Sequence, residues 1–156
     1  MTLPTLEALL RSEGADFDLI RQDRPILTVQ DAETYYPVEQ SAPSFVLQAN
    51  DGLVLCIASM RRGRLDFDAM KQAYGFTKLR MAAKERVERE TGYPVGSIPL
   101  IGLELPCIFD DNLLCFDFIY GGSGDPLVTL KINPADVKRH YAQSGTLMEQ
   151  STIHKK

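Results

Sequence analysis

Residues 91–102 read TGYPVGSIPLIG, and the fold turns on how this stretch is read. A charged helix over Lys84–Glu90 runs into Thr91-Gly92, where glycine suits a left-handed helix cap. Pro94, Gly96, Pro99 and Gly102 follow within a few residues. They exclude a regular helix, because proline lacks the N–H and glycine costs backbone entropy. Yet Val95, Ile98, Leu100 and Ile101 are too apolar for a solvated linker. The stretch is therefore expected to be a stiff, packed loop that lets main-chain N–H groups come close to a ligand. The same residues also suit a tight helix-to-strand connection that binds nothing.

Upstream of the loop, Leu6, Leu9 and Leu10 give one apolar helix face that ends near Gly14, and Phe17–Ile20 reads as a strand. Thr28-Val29-Gln30-Asp31 has the spacing of a capping box, and Pro37 ends the helix it opens. Ser44–Gln48 and Leu53–Ala58 are apolar runs around Asn50-Asp51-Gly52, which predicts a hairpin. Asp66 caps a helix through Tyr74 that stops at Gly75, and Phe76–Met81 reads as a further strand.

Downstream, Leu105–Phe109 and Leu114–Tyr120 read as strands on either side of a turn at Asp110-Asp111-Asn112. A second glycine cluster, Gly121-Gly122-Ser123-Gly124, precedes a strand over Leu127–Ile132. Asn133-Pro134 opens a last helix that Gly145 ends. Interleaved helices and strands with hairpins predict a single α+β or α/β domain, a mixed sheet with helices packed around it. That domain spans residues 1–145, and residues 146–156 read as a polar, frayed tail.

Composition narrows the functional class. With 156 residues and 44% hydrophobic side chains, one domain with a real core is expected. No apolar run is long enough for a membrane span, and the first residues lack the pattern of a signal peptide. Cys56, Cys107 and Cys115 sit among apolar neighbours without a C-x-x-C pair, and read as core thiols of a reducing cytoplasm. Two histidines, His140 and His154, have no close ligand partner in sequence, so no metal site and no cofactor are expected. Nucleotide-binding glycine motifs, the G-x-S-x-G elbow and H-E-x-x-H are absent.

Charge is uneven. The chain carries 21 acidic against 17 basic residues, yet residues 61–89 hold nine basic side chains against four acids. Such a locally basic face on an acidic protein suits phosphates, with Lys78, Arg80 and Lys84 as candidate nucleic-acid contacts. A solvated helix face with pairs such as Glu85 and Arg89 accounts for the same charges. Ser97 and Ser123, each among glycines, are candidate ligand hydrogen-bonders, and two glycine loops facing each other would offer backbone donors to one small polar group.

These pieces, in this order, resemble the YbaK/ProX family of aminoacyl-tRNA deacylases, related to the editing domain of bacterial prolyl-tRNA synthetases. The resembling residues are Lys78–Ala82, Glu85–Gly92, the loop through Gly102, Ile119–Gly124 and Leu130–Asp136. The resemblance implies a mixed sheet with packed helices and hydrolysis of the ester of mischarged tRNA. It implies a partner in the acceptor end of an aminoacyl-tRNA, and an aminoacyl-tRNA synthetase as a second partner. It places Gly96 and Ser97 in the aminoacyl pocket, with Gly121, Gly122 and Ser123 as the facing wall. Active members carry a lysine where the hairpin's first strand begins, and here Pro43 stands at that place. The resemblance therefore assigns no catalytic residue. It leaves two readings, an editing deacylase and a silent pocket protein that binds an aminoacyl-adenosine-like ligand or a protein partner.

Overall fold

Leu53–Ile57 is buried at every residue, which identifies the centre of the structure. Side chains alternate across a strand, so Leu53, Leu55 and Ile57 enter one core while Val54 and Cys56 enter another. The structure is a computed structural model and describes residues 1–50 and 52–156.

In chain order the elements are α1 (Leu3–Ser12), β1 (Phe17–Arg21), α2 (Val29–Glu33), β2 (Ser44–Gln48), β3 (Leu53–Ile57), α3 (Phe67–Tyr74), β4 (Arg80–Met81), α4 (Lys84–Thr91), β5 (Cys107–Phe109), β6 (Ile119–Gly122), β7 (Val128–Ile132) and α5 (Pro134–Ser144). The mixed α/β class holds, and the strands divide into two sheets. One is antiparallel, in the order β1-β7-β6. The other runs β4-β2-β3-β5, antiparallel except for the parallel pair β3 and β5. The sheets meet where the Ala42 N–H donates to the Tyr120 carbonyl at 2.8 Å.

The larger core fills the space between the sheets with Leu6 and Leu10 of α1, Leu100 and Ile101 of the central loop, and Val137 and Tyr141 of α5. The smaller core packs Met70 of α3 and Ile153 against the far face of β2, β3 and β5.

Local signals explain most boundaries. Thr28 and Asp31 form the reciprocal capping box. Asp66 accepts from the Ala69 N–H at the start of α3, and Asn133 accepts from the Ala135 N–H at the start of α5. The hairpin of β2 and β3 pairs Ser44 with Ile57 and Gln48 with Leu53, and the expected turn residue Asp51 lies outside the described residues.

Four expectations are corrected. Of Phe76–Met81 only Arg80–Met81 is strand, because the Asn50 side-chain oxygen accepts from the N–H groups of Thr77 at 3.0 Å and Lys78 at 2.8 Å. Asp110–Asn112 does not join two paired strands. Asp111–Cys115 is a 3-10 helix capped by Asp110, and β5 and β6 lie in different sheets. Cys115 consequently lies exposed on that turn, while Cys56 and Cys107 are buried.

The stretch after Gly145 is not frayed. Cys107 donates to the Thr146 carbonyl and accepts from the Met148 N–H, both at 2.8 Å, so the tail runs along the open edge of β5. Farther on, His154 lies within hydrogen-bond distance of Asp110 Oδ2 (2.5 Å) through Nε2 and of the Gly63 carbonyl (3.0 Å) through Nδ1. Apolar Leu147, Met148 and Ile153, hidden in a polar composition, pack against the cores.

Candidate functional site

The central loop is positioned from three sides. Gly92, at φ 80° and ψ 5°, caps α4 and returns its N–H to the Glu88 carbonyl. The Thr91 hydroxyl donates to the Val87 carbonyl at 2.6 Å and accepts from the Tyr93 N–H at 3.1 Å, which bends the chain away from the helix. From α5, the buried Tyr141 hydroxyl donates to the Leu100 carbonyl at 2.7 Å. Burial pushes that phenol's pKa upward, so it stays a neutral donor.

The loop then lies against β6, backbone to backbone. Leu100 N–H donates to the Gly122 carbonyl at 2.9 Å. A β-carbon on Gly122 would sit 1.9 Å from the Ile98 carbonyl oxygen, so only glycine permits this approach. The two glycine-bearing stretches are thus side by side.

Together they form one wall of a cavity of about 670 Å³. Gly96, Ser97, Gly121 and Gly122 all line it, and so does Lys84. Ser123 does not line it. The Ser123 hydroxyl donates to the Val128 carbonyl at 2.6 Å and accepts from the Asp125 N–H at 3.2 Å, which ties the turn before β7. Lys78 and Arg80 lie exposed outside the cavity, Arg80 reaching the Gln48 side-chain oxygen at 3.3 Å.

The opposite walls include Pro43, the position the resemblance singles out, and otherwise come from segments the sequence did not mark as a site. Pro25–Val29 and Tyr36 supply one, and Ser41–Val46, which includes Pro43, supplies another. Tyr36 and Tyr120 stack with ring centroids 4.8 Å apart, and burial raises the Tyr36 phenol's pKa. The capping box at Thr28 was the one sequence signal that this segment is held in place.

Most of the lining is apolar. Lys84 and Asp125 are the only lysine, arginine, aspartate or glutamate among the described lining residues. The Ser97 N–H donates to the Pro94 carbonyl at 3.0 Å, closing a turn. Ser41 Oγ and Ser44 Oγ are buried and make no hydrogen bond of ordinary length among the described residues, Ser41 lying beside the Tyr36 phenol. The site contains no cysteine: Cys56 lies elsewhere, its thiol pushed up to about 12 by burial and the nearby Asp110 charge. Among the described residues no cluster of three His, Cys, Asp or Glu side chains could hold a metal ion.

With this geometry in hand, the class is defined. The sequence pattern of the aminoacyl-tRNA editing domain matches residues 23–140, and the chain belongs to that family. Its fold is similar to a crystal structure of the hypothetical protein APE2540, with a TM-score of 0.80 and 22% identity, covering 96% of this chain and 99% of that one. It is also similar to a proposed trans-editing enzyme for prolyl tRNA synthetase, with a TM-score of 0.76 and 22% identity, covering 99% and 97% of the two chains. A scaffold used for epitope backbone grafting shares the fold at a TM-score of 0.73 and 22% identity, covering 96% of each. The search among curated proteins gives no match. No helix among the described residues is long and apolar enough to cross a membrane.

Proposed function

We propose that the protein binds the aminoacylated acceptor end of a tRNA in the cavity between the central loop and β6, as a trans-acting editing factor with attenuated hydrolysis. One observation carries this reading. In a chain of the aminoacyl-tRNA editing family, the loop 91–102 and the glycines of β6 share one wall of a cavity whose 670 Å³ falls within the range of small-molecule sites. Gly96, Ser97, Gly121 and Gly122 form the aminoacyl wall, and Ser123 supports it from behind. Lys84, exposed and lining the cavity, meets the phosphates, with Lys78 and Arg80 extending the basic strip outside.

Ester hydrolysis needs a placed water and donors for the developing oxyanion. Pro43 supplies neither charge nor donor. The Ser97 N–H, an obvious oxyanion donor, is engaged with Pro94. Slow turnover follows from the chemistry.

A second reading is favoured by the cavity's rim. Leu27, Val29, Met60, Met81 and Val95 are five of the eight exposed large apolar residues, and all line this cavity. A silent pocket protein that docks on a synthetase or another protein through that rim fits the same face.

Deacylation of alanyl-, cysteinyl-, seryl- and prolyl-tRNA separates the readings. The expected outcome is weak or no turnover by the wild-type chain and a faster reaction on Pro43→Lys. Robust wild-type turnover that survives Lys78→Ala and Lys84→Ala would overturn the attenuation. Failure of every charged tRNA to bind would overturn the site itself.

A further inference from the structure

The face of the sheet β1-β7-β6 that turns away from the larger core carries a row of aromatic rings. Ile119 is fully buried, and side chains alternate along a strand, so Phe118, just before β6, and Tyr120 stand together on the opposite face. Tyr120 lines the cavity and stacks on Tyr36. Directly across the ladder from Tyr120 is Lys131 of β7, whose Nζ lies over the Phe118 ring, 4.5 Å from its centroid. Phe118 is half-buried, and among the described residues it packs against neither core. The row continues to Phe116, which lies under the Arg61 guanidinium at 6.0 Å, and Met60 beside Arg61 lines the cavity. Among the described residues neither Arg61 nor Lys131 closes an ion pair, although Asp18 of β1 stands across the ladder from Lys131.

A ring covered by a flexible ammonium, at the edge of a cavity, suits a planar ligand group. Bases stack on such rings whatever their sequence, because every base has a π-face, and nearby cations answer the phosphates between them. Base stacking is the stronger contact, so Lys131 yields the Phe118 face and moves to a phosphate. Same-face positions on a strand lie about 6.7 Å apart, which leaves room for a base at each ring. A duplex keeps its base faces stacked inside, and an acidic peptide or lipid headgroup has no planar face to offer. An unpaired RNA strand supplies both the planar faces and the anions.

Resting on the aminoacyl-site reading above, we infer that Phe118 and Phe116, with Lys131 and Arg61, form a track for the unpaired nucleotides that precede the aminoacylated end. Phe118 stacks the first base outside the cavity, and Phe116 the next. The track shares no residue with the aminoacyl wall or with the strip of Lys78, Arg80 and Lys84. It holds the RNA whatever amino acid is attached, so it adds affinity and no aminoacyl selectivity.

The test is calorimetric binding of non-hydrolysable amide-linked alanyl-, seryl- and prolyl-adenosine to the whole chain, beside the same groups at the end of di- and trinucleotide RNA. The expected result is that the first added nucleotide tightens binding about tenfold, and that this ratio falls toward one in Phe118→Ala. An abasic unit in place of the added base also brings the ratio toward one. Lys131→Ala and Arg61→Ala each lower the slope of log affinity against log salt by about 0.7. Because the Phe118 ring joins neither core, Phe118→Ala keeps its unfolding midpoint within about 3 °C of wild type. The chain contains no tryptophan, so Phe118→Trp adds a lone fluorophore, quenched on binding the dinucleotide probe and not on binding the aminoacyl-adenosine. A wild-type ratio near one, or a ratio preserved by Phe118→Ala or by the abasic unit, overturns the track and leaves the aminoacyl site standing. Should Phe118→Ala fail to fold, an unquenched Phe118→Trp at saturating dinucleotide probe overturns it equally. No binding of any probe overturns both readings together.

Discussion

Two buried polar clusters stand in contrast. Around Asp110, 1% exposed, polar groups meet inside the fold. Oδ2 accepts from Ser59 N–H at 2.8 Å and pairs with His154 at 2.5 Å, while Oδ1 accepts from Asn112 N–H at 3.0 Å and from the Asn112 amide at 2.8 Å. Around Pro43, the buried Ser41 and Ser44 hydroxyls make no hydrogen bond of ordinary length, and Ser41 lies beside the Tyr36 phenol. The first cluster answers all its own hydrogen bonds and fastens the C-terminal stretch to β5. The second belongs to residues that line a cavity in a chain of the editing family. Satisfied burial marks architecture.

The largest expected effect breaks the satisfied cluster. Asp110→Ala leaves His154, the Ser59 N–H and Asn112 without their acceptor, and each buried donor left unsatisfied costs about 1–3 kcal/mol. Urea unfolding measures it, and loss of protection along residues 146–154 locates it. The same carboxylate sets a pH dependence. Burial acts to raise its pKa, but the bonds from His154, Ser59 and Asn112 outweigh burial and hold it below its ordinary value. Its stabilisation is therefore complete above about pH 4 and is lost as pH falls through the lowered folded value. Thermal unfolding between neutral and acid pH should show this loss in the wild type and not in Asp110→Ala.

A smaller effect separates the two glycine stretches. At Gly122 a methyl group would collide with the Ile98 backbone oxygen, so Gly122→Ala forces loop and strand apart, at about 3 kcal/mol. At Gly96 there is open space but φ is 97°, so Gly96→Ala carries only the left-handed strain of about 1–2 kcal/mol. Gly96→Val, in the same open place on the cavity wall, should block ligand binding while leaving a folded protein. If Gly96→Ala is the more damaging of the two in urea, the close-packed picture of the loop is wrong.

The smallest effect concerns the basic strip. Reversing Arg80 and Lys84 to Glu should weaken tRNA binding several-fold with little change in thermal stability. It should also lower the slope of log affinity against log salt by about one per contact. A salt slope unaffected by the reversal would return these side chains to the role of a solvated face.

The sequence carried most of the fold, because its punctuation is local. The caps at Thr28, Asp66 and Asn133 and the glycine stops after α3, α4 and α5 are decided by a few neighbouring residues. It missed what depends on distant partners. Asn50 diverts the backbone at Thr77 and Lys78, and nothing near residue 77 announces that. The last residues look polar, and their attachment rests on an edge of β5 and an aspartate far away in sequence. Gly96, Ser97, Gly121 and Gly122 were legible as cavity residues, but Ser123 faces its own turn. Gly122 also has a task that the sequence did not show, close packing against Ile98. Ser41 and Ser44 gave no signal, since serine is ordinarily a surface residue and burial without a partner is visible only in three dimensions.

The central claim is that the cavity between the central loop and β6 receives the aminoacylated acceptor end. Backbone amide shift mapping, with a non-hydrolysable aminoacylated acceptor-stem RNA titrated into the labelled protein, tests it most directly. The account predicts saturable shifts concentrated at Gly96, Ser97, Ser41, Ser44, Gly121 and Gly122, with a weaker group at Arg80 and Lys84. Shifts confined to the Asp110–His154 face, or none that saturate, would contradict it.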